Sequence, residues 1–456
     1  MKRRYVYLAV IASIALIAGG CSGGGGGSSG ACGSSGGGEP SAVKGHQPVT
    51  LCLWTGFNNP EFGYVNNTIK AFERKYPWIH VNTVPGKQDT DVLNALHSGT
   101  APDVASITTP DDGVEFCSTN SFLDLKTYIQ REHIDLRSLV PAGALAYTAF
   151  ADPHSECLLP MLSDAYGLVY NTALFHKAGI SSPPKTYSEM FTDAKKLTQL
   201  NSDGSLKVAG FLPLATGDYE LANVVNGVQE GAQWYDSNGK CLLGKDPRFA
   251  SMLEFYKSMT DWFGFDKLNR FFASNGGENT EFSPSNLFER GKLAMAADGE
   301  WRGAFIRHDH SKVQWAAAPY PVPDSSPGRY GVGQTGGSVL GIPRSTTHPA
   351  AAWLLVKYLA LDPEGERIFA DQIGNVPTVF ADLHDPVLTR DPNFRTYIHI
   401  FFNPLSRYKQ ITKLGFGDTS LYDRFVDTYL AGKVSDLRGG LDSVATQIDQ
   451  QLRLGQ

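Results

Sequence analysis

Apolar and polar positions repeat along the chain with two different periods, and the changes between them predict strands and helices in turn. Two apolar runs of strand length, Val49 to Trp54 and Ile79 to Val84, flank a stretch in which apolar residues recur at steps of three and four. That stretch predicts a helix that ends before Pro77. A short helix from Asp89 to Ser98 and a strand from Asp103 to Ile107 follow. This alternation favours mainly parallel sheet with helices on both faces.

The alternation continues in the middle of the chain. Gly167 to Asn171 has the pattern of a buried strand, and Pro183-Pro184 then predicts a stiff turn. A helix begins at Thr186, which forms a capping-box pattern with Glu189. Further patterns predict helices and one extended segment: a helix from Pro247, Ser338 to Ile342 (extended), Pro349 to Leu361, Tyr422 to Leu430, and Leu441 to Leu454.

The first 20 residues have the pattern of a signal peptide. Lys2, Arg3 and Arg4 precede an apolar run from Tyr5 to Ala18, which at about 14 residues is too short to span a membrane. Cys21 follows and resembles the lipidated cysteine of a bacterial lipoprotein. The resemblance implies a lipid anchor on the outer side of the cell membrane, and simple secretion is the alternative.

Residues 21–46 then predict a tether. Between Ser22 and Gly38, ten of 17 residues are Gly and five are Ser, a composition that cannot bury apolar surface and behaves as a coil. Its root-mean-square reach is roughly 20 to 25 Å. Such a segment suits a globular body held away from a membrane.

The body that remains, about 410 residues, suits two lobes rather than one small domain. The formal charge of −6 becomes −9 when the three basic residues of the leader are removed. An acidic body without a basic stripe argues against a nucleic-acid partner. Five cysteines follow Cys21 without a CxxC pair, and in an oxidising compartment an odd number leaves at least one unpaired or joined to another chain: Cys32, Cys52, Cys117, Cys157 and Cys241.

The middle segment carries a family resemblance. A strand ending in Tyr170-Asn171, then Pro183-Pro184 and a capped helix, resembles the crossover segment of extracellular solute-binding proteins of the maltose-binding-protein-like family. These proteins capture sugars for ABC importers. In that family a carboxylate a few residues before the YN pair contacts the sugar, and the matching position here is Asp164.

A second motif strengthens the resemblance. Phe288 to Met295 (FERGKLAM) and then Asp298 to Trp301 (DGEW) resemble the family's FxxGKxAM and GxW elements, whose tryptophan lies against the sugar. An indole face suits this role because it packs against the C–H face of a pyranose. The resemblance therefore implies that Trp301 lies in a ligand cleft, whereas a tryptophan taken alone is more often a core residue.

Other residues follow from the resemblance as candidate ligand contacts. Gly336 and Gly337 match the glycine pair before a second crossover strand, where they permit close backbone approach and hinge dihedrals. The context excludes a dinucleotide fingerprint at residues 331–336, because no helix pattern follows the glycines. Asp111 or Asp112 matches a polar contact in the loop after GxxPDV, although both suit a solvated turn equally.

The remaining candidates have plainer alternatives. Trp54 and Trp234 are aromatics that the family sometimes uses at the cleft, with core packing as the alternative, and Arg407 and Tyr408 lie in a loop that can contribute to it. Asp164 and Glu300 could also be the acid and base of a glycosidase. The cluster around His308 suits a surface loop better than a metal site, and no metal or cofactor is expected.

These observations predict a type II two-lobe periplasmic-binding-protein fold, each lobe a mainly parallel α/β sheet with flanking helices, joined by crossover hinge strands. Residues 47–166 with 339–394 form the first lobe, and residues 167–338 with 395–456 form the second. The predicted protein is a monomeric, lipid-anchored receptor for a mono- or oligosaccharide that delivers its ligand to ABC permease subunits. The alternatives are a secreted carbohydrate-active enzyme, a receptor for a polyol or glycerophosphate derivative, and a sensory or adhesion module.

Overall fold

The computed structural model describes residues 32, 40–148, 156–214, 221–277, 280–415 and 417–454. The predicted leader and Cys21 lie outside the described residues, as does most of the Gly/Ser-rich segment. Within the described part, no helix combines the length and the apolar composition that crossing a membrane requires.

The body is an alternation of strands and helices. The strands are β1 Val49–Trp54, β2 Ile79–Val84, β3 Val104–Ile107, β4 Leu159–Pro160, β5 Asp164–Asn171, β6 Gln199–Leu200, β7 Leu206–Val208, β8 Met295–Gly299, β9 Trp315–Ala318, β10 Thr335–Gly336 and β11 Val339–Gly341. The helices of the first half are α1 Glu61–Lys75, α2 Asp89–Ser98, α3 Pro110–Ser118, α4 Lys126–Arg131, α5 Leu136–Leu139, α6 Ala142–Ala146, α7 Thr172–Lys177, α8 Tyr187–Leu197 and α9 Leu221–Val224. Those of the second half are α10 Pro247–Phe263, α11 Phe265–Ser274, α12 Arg302–His308, α13 Pro349–Leu361, α14 Pro363–Ile373, α15 Pro386–Thr389, α16 Pro392–Phe401, α17 Gly417–Leu430 and α18 Leu437–Leu454.

The predicted helix boundaries follow from local capping. Thr186 Oγ1 accepts a hydrogen bond from the Glu189 backbone at the start of α8, at 3.4 Å. Asp246 accepts one from the Arg248 backbone at 3.0 Å and begins α10. Gly99 ends α2 in the left-handed conformation, with φ 71°. These three predicted boundaries are confirmed.

Two sheets define two lobes. The first sheet has the strand order β2-β1-β3-β11-β4. Its apolar side chains and those of the flanking helices form one hydrophobic core. The second sheet has the order β10-β5-β8, with β9 also paired to β5, and it has a separate core. We call these units the first lobe and the second lobe. The two-lobe α/β architecture is as predicted.

The prediction of mainly parallel sheet holds only in part. In the first lobe β1 is parallel to β2 and β3, as βα wiring requires, and β11 is antiparallel to β3 and β4. In the second lobe β5 is antiparallel to β8, β9 and β10. The reason is topological: β5 enters from the first lobe, and its partners arrive after long excursions, so no βαβ crossover fixes a common direction.

Two disulfides lie in the first lobe. Cys32 is bonded to Cys52 of β1, so the Gly/Ser-rich segment is joined covalently to this lobe at its residue 32. Cys117, in α3, is bonded to Cys157. Cys241 is a buried free thiol in the second lobe. These pairs settle the pairing that the sequence left open, with one cysteine unpaired as the odd number required.

The chain crosses between the lobes at adjacent places. β4 lies in the first sheet and β5 in the second, with residues 161–163 between them. The chain returns from the second sheet to the first between β10 and β11, through Gly337 and Ser338. The predicted boundary between residues 394 and 395 falls within α16, whose Tyr397 and Ile400 pack in the first core.

Candidate functional site

Asp164 lies where the chain enters the second lobe. It is the first residue of β5, and its neighbour Ser163 exchanges backbone hydrogen bonds with Val376, at 2.9 and 3.0 Å. Gly336 of β10 pairs with it across the second sheet. Because segments from both lobes meet here, the Asp164 side chain lies at the floor of the cleft between them.

An amide connects two carboxylates at this floor. Asn375 Nδ2 donates to Asp164 Oδ1 at 2.7 Å and to Glu300 Oε1 at 2.9 Å. Glu300 Oε2 accepts from the Ala165 backbone at 2.9 Å. Burial, and then the negative charge of Asp164, raise the pKa of Glu300 well above its usual range. Both effects disfavour the ionised form of the Glu300 carboxyl group.

The cleft has two compartments that share Thr108, Asp164 and Tyr166 in their linings. The aromatic compartment, with a cavity volume of about 580 Å³, is lined in addition by Phe57, Glu61, Phe282, Trp301, Phe305 and Asn375, among others. The amide compartment, with a cavity volume of about 200 Å³, is lined in addition by Asn223, Asn226, Gln334, Gly336, Gly337, Tyr408, Lys409 and Asp423, among others.

Trp301 forms one wall of the aromatic compartment. Its ring is nearly perpendicular to that of Tyr166, with centroids 5.7 Å apart, and a Cβ at Gly299 would lie 2.2 Å from it. Only 6 % of the residue is exposed, and its Nε1 has no hydrogen-bond partner among the described residues. Phe282, half exposed, extends the aromatic surface toward solvent.

A buried arginine fixes this wall. Arg302 follows Trp301 in the chain and is fully buried; its Nε donates to Asp298 Oδ2 at 2.6 Å, and its Nη1 donates to Glu289 Oε1 at 3.2 Å. Burial raises the pKa of Glu289 to about 7, although the charge of Arg302 opposes the shift. Through Arg302, the motif residues Glu289 and Asp298 fix the start of α12, next to Trp301. The sequence analysis missed this role.

A second buried cation, Lys409, borders the amide compartment. Lys409 Nζ lies 3.0 Å from Asp111 Oδ1 and 3.2 Å from Asp418 Oδ1. Tyr408 donates its hydroxyl to Asp111 Oδ2 at 2.7 Å. Asp111 belongs to α3 of the first lobe, whereas the other residues belong to the last part of the chain. This ion cluster joins the lobes directly.

Several of the sequence-predicted residues lie on the cleft. Asp164, Trp301, Gly336 and Gly337 line it. Gly337 has φ 144°, and a Cβ there would lie 2.0 Å from the Leu162 carbonyl oxygen, so only glycine fits this crossing. Asp111 also borders the amide compartment, but it is fully buried with both oxygens engaged by the protein.

Four predicted residues lie behind the lining rather than on it. Glu300 is linked to Asp164 by two hydrogen bonds, both donated by Asn375 Nδ2. Trp54, 7 % exposed, packs in the first core beneath Lys87. Trp234, 2 % exposed, packs in the second core and donates its Nε1 to the Asn226 carbonyl at 2.9 Å, while Arg407 donates to the Ala232 carbonyl at 2.7 Å.

Sequence reasoning missed the amide groups. Asn375 follows the left-handed cap Gly374 of α14, and Asn226 follows α9, so both occupy irregular segments just after a helix. Gln334 immediately precedes β10. A polar residue directly after a helix end is the one signal that could have pointed to Asn375 and Asn226.

The family model of bacterial extracellular solute-binding proteins matches residues 58–366. The chain belongs to this family. A binding protein of Brucella abortus is 28 % identical over 306 residues, 64 % of this chain and 67 % of the relative. The maltotriose-binding protein of Pyrococcus abyssi is 22 % identical over 235 residues, 51 % of this chain and 46 % of the relative.

Solved structures agree with the fold of this solute-binding protein. The structure of CpMnBP1 with mannotriose bound superposes with a TM-score of 0.77 over 87 % of this chain and 99 % of that chain, at 22 % identity. The similarity establishes the two-lobe fold. Membership in an extracellular family makes this chain an exported binding protein.

Proposed function

We propose that this solute-binding protein is the carbohydrate receptor of an ABC importer, and that it binds a mono- or oligosaccharide between its lobes. The observation that carries the proposal is the placement of Trp301 and Phe282 beside Asp164 and Asn375 in one compartment. Aromatic faces pack against the C–H face of a pyranose, and carboxylate and amide groups bind its hydroxyls. The named ligands of the Pyrococcus relative and of CpMnBP1 support this class.

The balance of acidic and basic groups in the cleft favours a neutral ligand. Asp164 and Glu61 line the aromatic compartment, and Asp423 lines the amide compartment. Lys409, also in the amide lining, is already paired with two carboxylates. A phosphate group would meet acidic groups without a free cation in the described lining, so a neutral sugar or polyol suits the cleft better than a glycerophosphate derivative.

Binding proceeds without turnover in this proposal. A glycosidase needs two carboxyl groups that flank the scissile bond, with room for substrate between them. Asp164 and Glu300 instead accept hydrogen bonds from the same Asn375 amide nitrogen, which occupies the space between them. Glu300 is also only 3 % exposed. Both features support a binding role for this pair over an acid and base role.

The lobes close on the ligand in this proposal, with the two crossings at residues 161–163 and 337–338 as the hinge. A ligand that contacts both lobes stabilises the closed form by its differential affinity. Small-angle scattering with saturating ligand should give a smaller radius of gyration than without it. Identical scattering profiles would contradict the hinge.

A lipid on Cys21 anchors the protein to the outer side of the membrane and keeps it near the permease subunits. Support comes from the basic start, the apolar run and the Gly/Ser-rich segment. Cys21→Ser should move the protein from the membrane fraction to the soluble exported fraction with ligand binding intact. Unchanged partitioning would exclude lipidation at Cys21.

A thermal-shift screen of the purified body against sugars tests the main proposal. A sugar that binds the folded state raises the melting temperature in proportion to the logarithm of its concentration above Kd. We expect saturable stabilisation by at least one saccharide and no chemical change in it by mass spectrometry. Product formation would favour the enzyme instead, and stabilisation by a glycerophosphate derivative alone would overturn the carbohydrate class.

A further inference from the structure

A further cavity lies in the second lobe, outside the cleft, and has a volume of about 680 Å³. One wall is a single face of α11, formed by residues at steps of three, four and seven: Lys267, Arg270, Phe271 and Ser274. The turn between β6 and β7, residues 201–205, and the half-buried Lys292 also line it. We call this cavity the basic groove.

The basic groove lies at the end of the second lobe that is remote from the cleft. β5 begins at the cleft with Asp164 and is antiparallel to β8, so Gly299 marks the cleft end of β8 and Met295 its remote end. Lys292 precedes Met295 by three residues. A strand of this length spans roughly 15 Å. None of the described residues that line the groove lines either cleft compartment, so a ligand in the groove occupies a site of its own.

The lining of the basic groove is positively charged, although the chain is acidic. Three cations, Lys267, Arg270 and Lys292, share the lining with one carboxylate, Asp203, which leaves a formal excess of two positive charges. The whole chain carries a formal charge of −6, and the linings of both cleft compartments each carry a formal excess of two negative charges. The groove therefore attracts anions, whereas the cleft repels them.

The protein does not neutralise these three cations. Among the residues that the structure describes, none forms a hydrogen bond or an ion pair with the side chain of Lys267, Arg270 or Lys292. Asp203 is engaged in its own turn, where its Oδ1 accepts from the Ser205 backbone at 2.9 Å and from the Ser205 hydroxyl at 2.6 Å. Like charges around one cavity repel each other, so an anion that binds between them lowers the free energy of the protein.

Helix stability does not account for the cations. Lys267 lies in the first turn of α11, where the helix dipole disfavours a positive charge, and Asp266 beside it is the acidic residue that this turn favours. Lys292 lies in a bend outside the helices and strands, and it is half-buried although lysine is mostly exposed in proteins. A ligand explains the position of these two lysines better than the fold does.

The groove has the size and the polar groups of a small-molecule site. Its volume of about 680 Å³ lies within the range of roughly 300 to 1,000 Å³ that is typical of ligand pockets. Guanidinium and ammonium groups bind phosphate oxygens through charge-assisted hydrogen bonds. Asn201 and Asn275 add amide groups to the same lining, and amides both donate to and accept from the neutral polar part of a ligand.

We propose that the basic groove is a second binding site, which takes a small soluble molecule that carries phosphate groups on a polar body. Lys267, Arg270 and Lys292 bind the phosphate oxygens, and Asn201 and Asn275 bind the polar body. The proposal goes beyond the carbohydrate function and does not depend on it, because the groove and the cleft share no lining residue.

Isothermal titration of the purified full-length protein with inorganic pyrophosphate tests the site. The buffer contains no phosphate and has a low ionic strength. We expect one pyrophosphate to bind per chain, with an affinity at least about 10-fold lower in 0.5 M NaCl, because salt screens interactions between partly exposed charges.

Three variants locate the bound pyrophosphate. Lys267→Gln, Arg270→Gln and Lys292→Gln each remove one positive charge from the groove, and each should weaken binding about 10-fold or more. Lys207→Gln is the matched control, because it removes the same charge at an exposed position of β7 outside the lining, next to Leu206. Its affinity should stay within about twofold of the parent. Arg270 is itself exposed, so its variant keeps the test valid if a lysine variant does not fold.

The other outcomes overturn the proposal. An equal loss of affinity in Lys207→Gln shows attraction by net charge rather than a site. Absence of pyrophosphate binding at low ionic strength excludes a phosphate site in the groove. Sedimentation with vesicles of phosphatidylcholine and phosphatidylglycerol, without binding of soluble pyrophosphate, assigns the cations to a membrane surface instead. None of these results bears on the cleft, since a sugar that stabilises the parent thermally should stabilise the three groove variants equally.

Discussion

A buried cation lies beside each of the two compartments of the cleft. The two cations differ in whether their carboxylate partners come from one lobe or from both. Arg302 binds carboxylates from residues 281–298, all close in sequence and within the second lobe. Lys409 instead joins Asp111 of the first lobe to Asp418. The wall that carries Trp301 is therefore built within one lobe, whereas the amide compartment depends on how the lobes are placed. We expect damage to the first cluster to unfold a lobe, and damage to the second to change the relation between lobes.

The largest effect should come from Arg302→Met. Removal of one partner from a buried ion cluster leaves uncompensated carboxylates and costs about 3 to 5 kcal/mol. Denaturant unfolding of the variant should show this loss, and Arg307→Met, an exposed position on the same helix, is the control. A change of less than about 1 kcal/mol would mean that Arg302 does not support this wall.

Lys409→Met should cost somewhat less, roughly 3 kcal/mol. Asp111 keeps the Tyr408 hydroxyl and Asp418 keeps the Tyr235 hydroxyl, so neither carboxylate is left bare. The distinguishing result is the shape of the molecule. Small-angle scattering should show a larger radius of gyration for the ligand-free variant than for its parent.

Two controls accompany the Lys409 variant. Lys413→Met, in the same loop, should leave both stability and radius of gyration unchanged. Addition of Asp111→Asn to Lys409→Met should restore part of the lost stability, because it removes one unpaired buried charge. Scattering identical to that of the parent would show that this ion cluster does not hold the lobes together.

Trp301 and Trp234 offer a comparison of two buried tryptophans. In the part of the chain that the structure describes, Trp301 Nε1 has no hydrogen-bond partner, whereas Trp234 Nε1 donates to the Asn226 carbonyl. Trp301→Ala should weaken ligand binding by roughly 2 to 4 kcal/mol, on the order of 30-fold to 1000-fold, with the fold retained. Trp234→Ala should instead lower the free energy of unfolding by about 3 to 5 kcal/mol. If Trp301→Ala unfolds the protein while its folded fraction keeps full affinity, Trp301 is a core residue and not a ligand platform.

Asp164→Asn should have a smaller effect on affinity, about 1 to 3 kcal/mol. The amide keeps the size of the side chain and part of its hydrogen bonding but removes the charge assistance. Calorimetric titration of the parent and the variant measures the difference. Glu300→Gln provides the contrast, because Glu300 lies behind the lining and its burial disfavours the ionised form: we expect a smaller loss there than at Asp164.

The smallest effect should be a pH dependence of stability from Glu61. Burial first, and then the charge of Asp164, raise the pKa of Glu61 from 4.5 to about 8. Between pH 4.5 and about 8 the folded state therefore binds a proton that the unfolded state has lost, and the free energy of unfolding should fall as pH rises through this window. With allowance for partial exposure to solvent, the change is on the order of 1 kcal/mol.

Glu61→Gln should flatten that slope in denaturant unfolding at several pH values. Asp164→Asn should narrow the window from its upper end, because the charge that helps to raise the pKa of Glu61 is gone. An unchanged slope in Glu61→Gln would assign the pH dependence to other buried carboxyls, such as Glu366, whose pKa burial raises to about 8.

The sequence by itself determined the elements and the motif positions that local chemistry controls. Strand and helix periods gave β1, β2 and α2 at their observed bounds, and capping residues marked the starts of α8 and α10. The crossover and GEW motifs led to Asp164 and Trp301, which line the cleft. Periodicity and capping depend on residues a few positions apart, so a single sequence carries them.

Only the tertiary structure decided what depends on contacts between distant segments. It paired Cys32 with Cys52 and Cys117 with Cys157, and it gave β5 antiparallel partners on both sides. It placed Trp54 in the first core and Trp234 in the second, both behind the lining, whereas Trp301 packs against the second core and also lines the cleft. The indole of each residue can pack in a core or against a ligand, and the choice depends on neighbours from other segments, such as Tyr166 beside Trp301 and Tyr422 beside Trp234.

The same reason explains the groups that the sequence did not reveal. Asn375 reaches Asp164 across 211 positions, and Lys409 reaches Asp111 across 298. An asparagine after a helix or a lysine in a loop is common. The local sequence does not distinguish Asn375 and Lys409 from asparagines and lysines that are exposed to solvent. Burial in a shared cleft gives both residues their partners, and burial is a property of the folded chain.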